Sequence, residues 1–485
     1  VSTDLSLIRS KPRAALLWQA AALTAVITAA WWYGPPLRLM IQIAAGAVLW
    51  AVIFVLFPRS GLILMIIELV IGGSGHLLTL PGGIALRHAL FASVVTGWIF
   101  RRAFRLDRPA RERGWEHPAL LLLAVAIVIG FGRGLIQGNA GVYTDTITWA
   151  YLLLIPIFDS YLRTAGDLVE LVRVAVAACL AMAIAQIAIF FLLSLGIVGL
   201  ANLPTDFLRL LNIHFTSMGG SFTRVFTAGV IFYPIALTWF LLDRSDRHPV
   251  LRWAAVVTIG ATFIIALTRG LWVGIAAGLL FWGVIGFGRV RLRRVLVATA
   301  IVVGVIGIGV VVFWQQIGTE LLDKLVAFYH PLQDESTAYK LEETLVLLQS
   351  WFRHPVLGQG FGEVAGAGIL GGRLYFHNSY LAFLLKTGGL GFTALMLFLA
   401  ALLGRLRSTS LAVPDARNLQ VLGSLTVGVV CMLTVSLTNP YIGSPMGLVM
   451  IGLLVAITRL HGSSGPEAAL DITAPDTGTH DGADK

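Results

Sequence analysis

The stretch Pro118-Ala-Leu-Leu-Leu-Leu-Ala-Val-Ala-Ile-Val-Ile-Gly-Phe-Gly-Arg-Gly-Leu-Ile136 holds a single charge, Arg133, among apolar and small residues. As a helix it reaches about 28 Å, close to the hydrocarbon thickness of a bilayer, about 30 Å. Outward from it, similar runs fill the chain. Fourteen candidate spans lie near residues 14–33, 37–57, 61–80, 84–104, 118–136, 146–162, 169–200, 225–242, 252–268, 270–288, 295–314, 378–403, 418–437 and 443–460. Period-two alternation is absent from these runs, and backbone in lipid must satisfy its own hydrogen bonds, so helices are expected. The sequence therefore predicts an all-α polytopic membrane protein of about 14 transmembrane helices. Composition agrees, with 57% of the 485 residues apolar and 12% charged, against roughly 25% charged in a soluble domain. Soluble enzymes, DNA-binding domains and disulfide scaffolds are excluded. Cys179 and Cys431 both lie inside apolar runs, which speaks against a disulfide framework or a thiolate metal site.

Basic residues set the orientation. With the N-terminus inside, the cytoplasmic side receives Arg9 to Arg13, Arg59, the run from Arg101 to Arg113, Arg163, Arg173, Arg244, Arg247 and Arg252. It also receives Arg289 to Arg294, Arg405, Arg407, Arg417, Arg459 and Lys485. About two thirds of the 35 Lys and Arg then lie inside, and the +10 net charge sets orientation rather than marking a nucleic-acid partner. The first span follows Arg9, Lys11 and Arg13 and is read as an uncleaved helix, being too long for a signal-peptide core. Both termini are expected in the cytoplasm, with residues 1–460 a transmembrane domain and 461–485 a disordered tail.

The outer face then carries a long loop at 315–376, between the eleventh and twelfth spans, and a shorter one at 201–224. Within the long loop Ser336 to Phe352 reads as an amphipathic helix, with Leu341, Leu345 and Leu348 on one face and Lys340, Glu343 and Gln349 elsewhere. Such a helix can lie on a membrane surface. It ends at His354-Pro355 and the glycines beyond. Gly358, Gly360 and Gly362 follow no strand and read as a flexible turn, not a nucleotide loop.

His377-Asn378-Ser379-Tyr380 opens the twelfth span, with Gly388, Gly389 and Gly391 three turns deeper. The free amides of a helix start disfavour imidazolium, which suits a neutral base, while an interfacial anchor is the plainer alternative. The glycines would let a neighbouring helix approach. Arg269, in Leu267-Thr268-Arg269-Gly270, and Arg224, in Phe222-Thr223-Arg224-Val225, fall on the same face. Arginine near hydrocarbon costs about 2.5 to 3.5 kcal/mol and so seeks a partner. A snorkelling or capping role and a bidentate phosphate clamp are both open from the residues alone. Glu68, buried in the third span, is a packing acid or part of a polar cavity. No Asp-x-Asp or His-x-x-x-His pair occurs, and no metal or other cofactor is expected.

The pattern of His377-Asn378, nine residues, Gly388, two residues and Gly391 resembles the signature of the bacterial O-antigen ligase and polysaccharide polymerase superfamily. Trp351-Phe352-Arg353-His354-Pro355-Val356-Leu357-Gly358-Gln359-Gly360-Phe361-Gly362 is similar to the segment before that histidine, and Thr268-Arg269-Gly270 and Arg224 with Gly229 to its two arginine sites. The likeness covers roughly residues 215–437. It implies metal-independent, inverting transfer of a glycan from undecaprenyl pyrophosphate to an acceptor hydroxyl on the periplasmic face of a bacterial inner membrane. His377 would be the base, and Arg224 and Arg269 the pyrophosphate clamps. Relatives often carry an arginine on the loop helix where this chain has Lys340, only a point charge. Arg133, Lys340, Arg373 and Asn378 are secondary candidates.

A polysaccharide polymerase for O-antigen, exopolysaccharide or capsule is favoured, since fourteen spans exceed those expected of a ligase. The alternative is an O-antigen ligase that transfers glycan to lipid A core. The implied partners are a lipid-linked donor, a glycan or lipid A core acceptor, and other polysaccharide-assembly membrane proteins. A lipid-linked oligosaccharide flippase or transporter is the runner-up from another class. The chain lacks the internal repeat such proteins tend to show.

Overall fold

The computed structural model describes residues 58–72, 79–80, 84–104, 117–194, 213–217, 223–243, 248–286, 335–364, 376–413 and 415–462, with positions 197, 300 and 304. The expected spans at 14–33, 37–57 and 295–314, Arg373 and the tail beyond residue 462 lie outside these residues.

The described chain is mostly helical, as an all-α membrane protein requires. In order come α1 (Pro58–Ile71), a short hairpin β1 (Thr79–Leu80) and β2 (Ile84–Ala85), α2 (Leu86–Ala103) and α3 (His117–Ile136). Then follow α4 (Val142–Trp149), a 3-10 turn (Ala150–Leu153), α5 (Leu154–Tyr161) and α6 (Ala165–Ser194). A second hairpin, β3 (Ile213–Ser217) with β4 (Thr223–Thr227), leads through a 3-10 turn (Ala228–Phe232) into α7 (Tyr233–Leu242), α8 (Pro249–Ala266) and α9 (Arg269–Ile285). Last come α10 (Glu335–Phe352), α11 (Ser379–Ala412), α12 (Ala416–Val435) and α13 (Pro445–Gly462). Among the described residues α3, α6, α8, α11 and α12 are long and apolar enough to cross a membrane. Shorter apolar helices lie over Ala228–Leu242, Arg269–Ile285 and Pro445–His461.

Among the described residues three expected spans are interrupted by a turn or a strand. The helix expected over 61–80 stops at Ile71, ahead of the β1–β2 hairpin. The span expected over 146–162 is broken by its 3-10 turn. Pro156 sits in the first turn of α5, where its missing N–H is harmless but would interrupt a continuous helix. The span expected from residue 225 begins as a strand. In Thr223-Arg224-Val225-Phe226-Thr227 the alternate residues Val225 and Thr227 are buried, which suits β-branched and aromatic residues on a half-buried surface.

Helix α12 forms the centre, packed against α6, α7, α9 and α13. Its approach to α9 depends on Gly270, Gly274 and Gly278, spaced every four residues along one face of α9. A Cβ on Gly274 would stand 2.7 Å from the Cys431 sulfur, and one on Gly278 2.7 Å from the Val427 carbonyl oxygen. Small residues at this spacing let membrane helices pack backbone to backbone. Helix α3 lies at the periphery. Leu123, Ala126, Gly130 and Gly134 make its buried stripe, while Val128 and Ile136 are 67% and 88% exposed, as a lipid-facing surface demands.

One end of the bundle gathers the ion pairs Arg59–Asp167 (2.8 Å) between α1 and α6 and Arg459–Asp159 (3.3 Å) between α13 and α5. The start of α11, the α8–α9 turn and the α12–α13 turn meet at the other.

Candidate active site

Asn378 caps α11. Its side-chain oxygen accepts the backbone N–H groups of Tyr380 and Leu381, both at 3.1 Å, relieving two of the free amides of the first turn. Ser379 ties this helix start to the turn after α12. Its backbone N–H donates to the Ser436 carbonyl (3.0 Å) and its hydroxyl to the Asn439 carbonyl (2.9 Å). Asn378 thus holds the helix that carries the neighbouring histidine.

His377 is held from the long loop. Helix α10 forms over nearly the expected residues but turns a different face inward. Leu347 is buried with Phe376 and Leu385, flanked by Tyr339 and Trp351, while Leu341 and Leu345 are exposed. On the inner face Glu343 is 1% exposed. Its carboxylate accepts the His377 backbone N–H at 3.0 Å, and His377 Nδ1 lies 3.2 Å from the same oxygen. The Tyr339 ring meets the imidazole edge to face, centroids 5.7 Å apart. Lys340 lies on α10 one turn before Glu343.

The arginines are ordered by the turn between α8 and α9. Leu267 there has φ of 44°, the one non-glycine positive φ among the described residues. That left-handed residue costs about 1 to 2 kcal/mol and lets the chain reverse with almost no loop. Arg269 then occupies the first position of α9. Arg224 on β4 crosses to the same turn. Its Nε–H donates to the Ala266 carbonyl (2.6 Å) and its Nη2 to the Thr268 hydroxyl (2.9 Å), with the guanidinium 4.5 Å from the Phe226 ring centre. Burial pulls this guanidinium below its ordinary pKa, opposed by Tyr441. Burial also pushes the Tyr441 phenol up to about 12, so it stays neutral. Behind the strand, buried Gln186 on α6 donates to the carbonyls of Val225 (2.8 Å) and Thr262 (3.4 Å), fixing β4 against α8.

The α12–α13 turn joins these parts. A Cβ on Gly270, next to Arg269, would be 3.3 Å from the Thr438 hydroxyl and 3.7 Å from the Asn439 amide. Asn439 also receives Ser379, and Tyr441 lies in the field of Arg224. His377, Arg269 and Arg224 therefore border one turn. Arg133, near the end of α3, lies instead beside the strap that follows α10: a Cβ on Gly360 would stand 3.0 Å from its carbonyl carbon.

The glycines of α11 act differently from the expected helix–helix contact. At Gly388 (φ 69°, ψ −172°) the helix is broken, and the segment after α10 runs through the break. Gln359 and Gly360 donate to the Leu385 and Lys386 carbonyls (2.8 and 3.0 Å), and Gly389 and Leu390 donate to those of Pro355 and Val356 (2.7 and 3.1 Å). Backbone freed by the kink is satisfied by backbone of the ribbon, as burial in a membrane protein requires. On its other side the ribbon binds α3: Phe361 donates to the Gly130 carbonyl (3.0 Å), and Asn139 Nδ2 donates to that of Phe361 (2.9 Å). The expected flexible turn at Gly358, Gly360 and Gly362 is a built strap with all three glycines at positive φ.

Sequence reasoning missed Glu343 and a buried ion pair beneath the site. Lys386 Nζ lies 2.7 Å from both Asp145 oxygens, and Asp145 also accepts the Gly362 N–H (2.9 Å). Glu68 is buried in α1, and neither of its carboxylate oxygens has a hydrogen-bond partner among the described residues. No group of three His, Cys, Asp or Glu among the described residues could hold a metal ion.

Residues 254–396 match the family model described as O-antigen ligase. The match takes in Arg269, α10, the glycine strap and His377, but not Arg224. No curated protein matches the chain.

Proposed function

From the O-antigen ligase match over residues 254–396, which supports membership of the O-antigen ligase and polysaccharide polymerase superfamily, we propose that the chain is a membrane glycosyltransferase. It moves a glycan from undecaprenyl pyrophosphate to an acceptor hydroxyl at the periplasmic face of the bacterial inner membrane. His377 Nε2 takes the acceptor proton as that oxygen attacks the anomeric carbon. The bond from this carbon to the pyrophosphate breaks, and the leaving group keeps the electron pair. Attack opposite the leaving group inverts the centre. Arg224 and Arg269 stabilise the charge that develops on the departing phosphate.

The observation that carries this reading is the shared turn Ser436–Tyr441, against which the starts of α11 and α9 both pack. Among the described residues Arg224 uses two of its five N–H donors, on Ala266 and Thr268, and keeps three. Those remaining lie on Nη1 and Nη2, an end-on fork suited to a phosphate. Purified protein in nanodiscs with an undecaprenyl-pyrophosphate glycan tests the chemistry: His377→Ala should lose about 10²- to 10⁴-fold in turnover. Near-normal product would remove His377 as the base.

Within this class we favour a polymerase, which joins two carrier-linked glycans, on the number of apolar runs. The matched family's description favours the second reading, a ligase. A deletion strain separates them. Single repeat units on the usual acceptor mark a lost polymerase, and full-length polymer stranded on the carrier a lost ligase.

A further inference from the structure

We infer that Glu343 is a positioning residue for His377, fixing its tautomer and ring so that Nε2 faces the acceptor hydroxyl; this rests on His377 being the base. A carboxylate only accepts hydrogen bonds, so the nitrogen 3.2 Å from it must carry the proton. Nδ1 is that nitrogen, which leaves the lone pair on Nε2. The same carboxylate accepts the backbone N–H of His377, so one group restrains both main chain and side chain. Tyr339, perpendicular to the imidazole, limits its rotation from the side.

Burial makes the arrangement selective. A carboxylate 1% exposed needs its donors, and both donors named here belong to His377. As the acceptor hydroxyl gives its proton to Nε2, the ring becomes imidazolium beside that carboxylate. The positive charge is then stabilised without Glu343 touching substrate. The proton leaves to water after transfer. This is the service a carboxylate gives a catalytic histidine in hydrolytic triads, supplied here from a loop helix. The other titratable groups within a turn of the pair on α10 and α11 are Tyr339, Lys340, Glu342 and Tyr380, and Lys386, bound to Asp145, lies 5.8 Å from the ring centre of Phe376 beside His377.

The test uses the full chain in nanodiscs with the lipid-linked donor. Glu343→Gln can still accept one N–H but carries no charge. Turnover should fall about 10- to 100-fold, with KM for the donor within about twofold and the acid limb of the kcat profile moved to lower pH. A Gln variant with the wild-type limb, or one whose loss lies wholly in KM, overturns the inference. Nitrogen NMR of histidine-labelled wild-type protein gives a readout that no variant's folding affects, with the His377 signal identified by its absence in His377→Ala. An Nδ1–H tautomer supports the inference and an Nε2–H tautomer overturns it. Activity retained by His377→Ala would instead defeat the underlying reading, whatever Glu343→Gln does.

Discussion

Thr268 is the smallest part of the arginine arrangement and a sensitive one. Its hydroxyl takes Nη2 of Arg224 and donates to the Ala266 carbonyl at 3.1 Å. Thr268→Val keeps the shape and removes that acceptor, so Arg224 should swing and turnover should fall about 10- to 100-fold without loss of membrane insertion. Steady-state assays beside membrane yields check this. Arg269→Lys should lose most activity for a different reason, since an ammonium cannot form the fork; wild-type rates would show that bidentate binding there is unnecessary. Glu363 bears on pH. Burial raises its carboxyl above the ordinary value, against Arg353 and His354. A carboxyl raised in the folded protein favours folding below its unfolded pKa, and that advantage fades as pH rises through the folded value. Glu363→Gln should therefore raise the melting temperature relative to wild type at pH 8 and not at pH 4, as thermal scans in detergent would record. At this scale the placement of His377, Asn378 and Arg269 at helix starts was legible, because each sits in a local pattern. Glu343 was not, because its partner lies 34 residues away and no spacing rule links them.

The elements divide by what holds them. Helices α3, α8, α9, α12 and α13 follow from apolar length and were legible to within a few residues. The break in α11 was not, since a glycine inside an apolar run does not say what will cross it. A Cβ on Gly388 would meet the Val356 carbonyl oxygen and the Gly358 nitrogen at 2.2 and 2.4 Å. With φ also positive, Gly388→Ala should cost about 4 kcal/mol or more, visible as loss of monodisperse protein. The Asp145–Lys386 pair was hidden by the sequence separation of 241 between its partners. Removing one member leaves a buried charge, a loss of about 3 to 5 kcal/mol, whereas replacing both with apolar residues should recover most of it. Lys386→Met, Asp145→Leu and the double variant, compared by thermal stability, test this. Equal losses in all three would show that the pair is not coupled.

Across the whole molecule two ion pairs gather at one end of the bundle. The bundle end with the Arg59–Asp167 and Arg459–Asp159 pairs is the end assigned inside by the positive-inside rule. Orientation can be read directly, because both native cysteines are buried and a cysteine at the exposed Leu345 would label alone. In spheroplasts an impermeant maleimide should reach it; protection would invert the orientation. How distant pieces lock together was not legible, since apolar helices of equal quality pack in many orders and only polar and glycine contacts select one. The strap through α11 sets a timetable for biosynthesis. Asn139 and Phe361, which it joins, are separated by 222 residues, so at about 5 to 20 residues per second the ribosome needs on the order of ten to forty seconds between them. For that interval the glycine groove of α3 stands in the bilayer with its permanent occupant not yet made, and every nascent chain must keep it from the wrong partner.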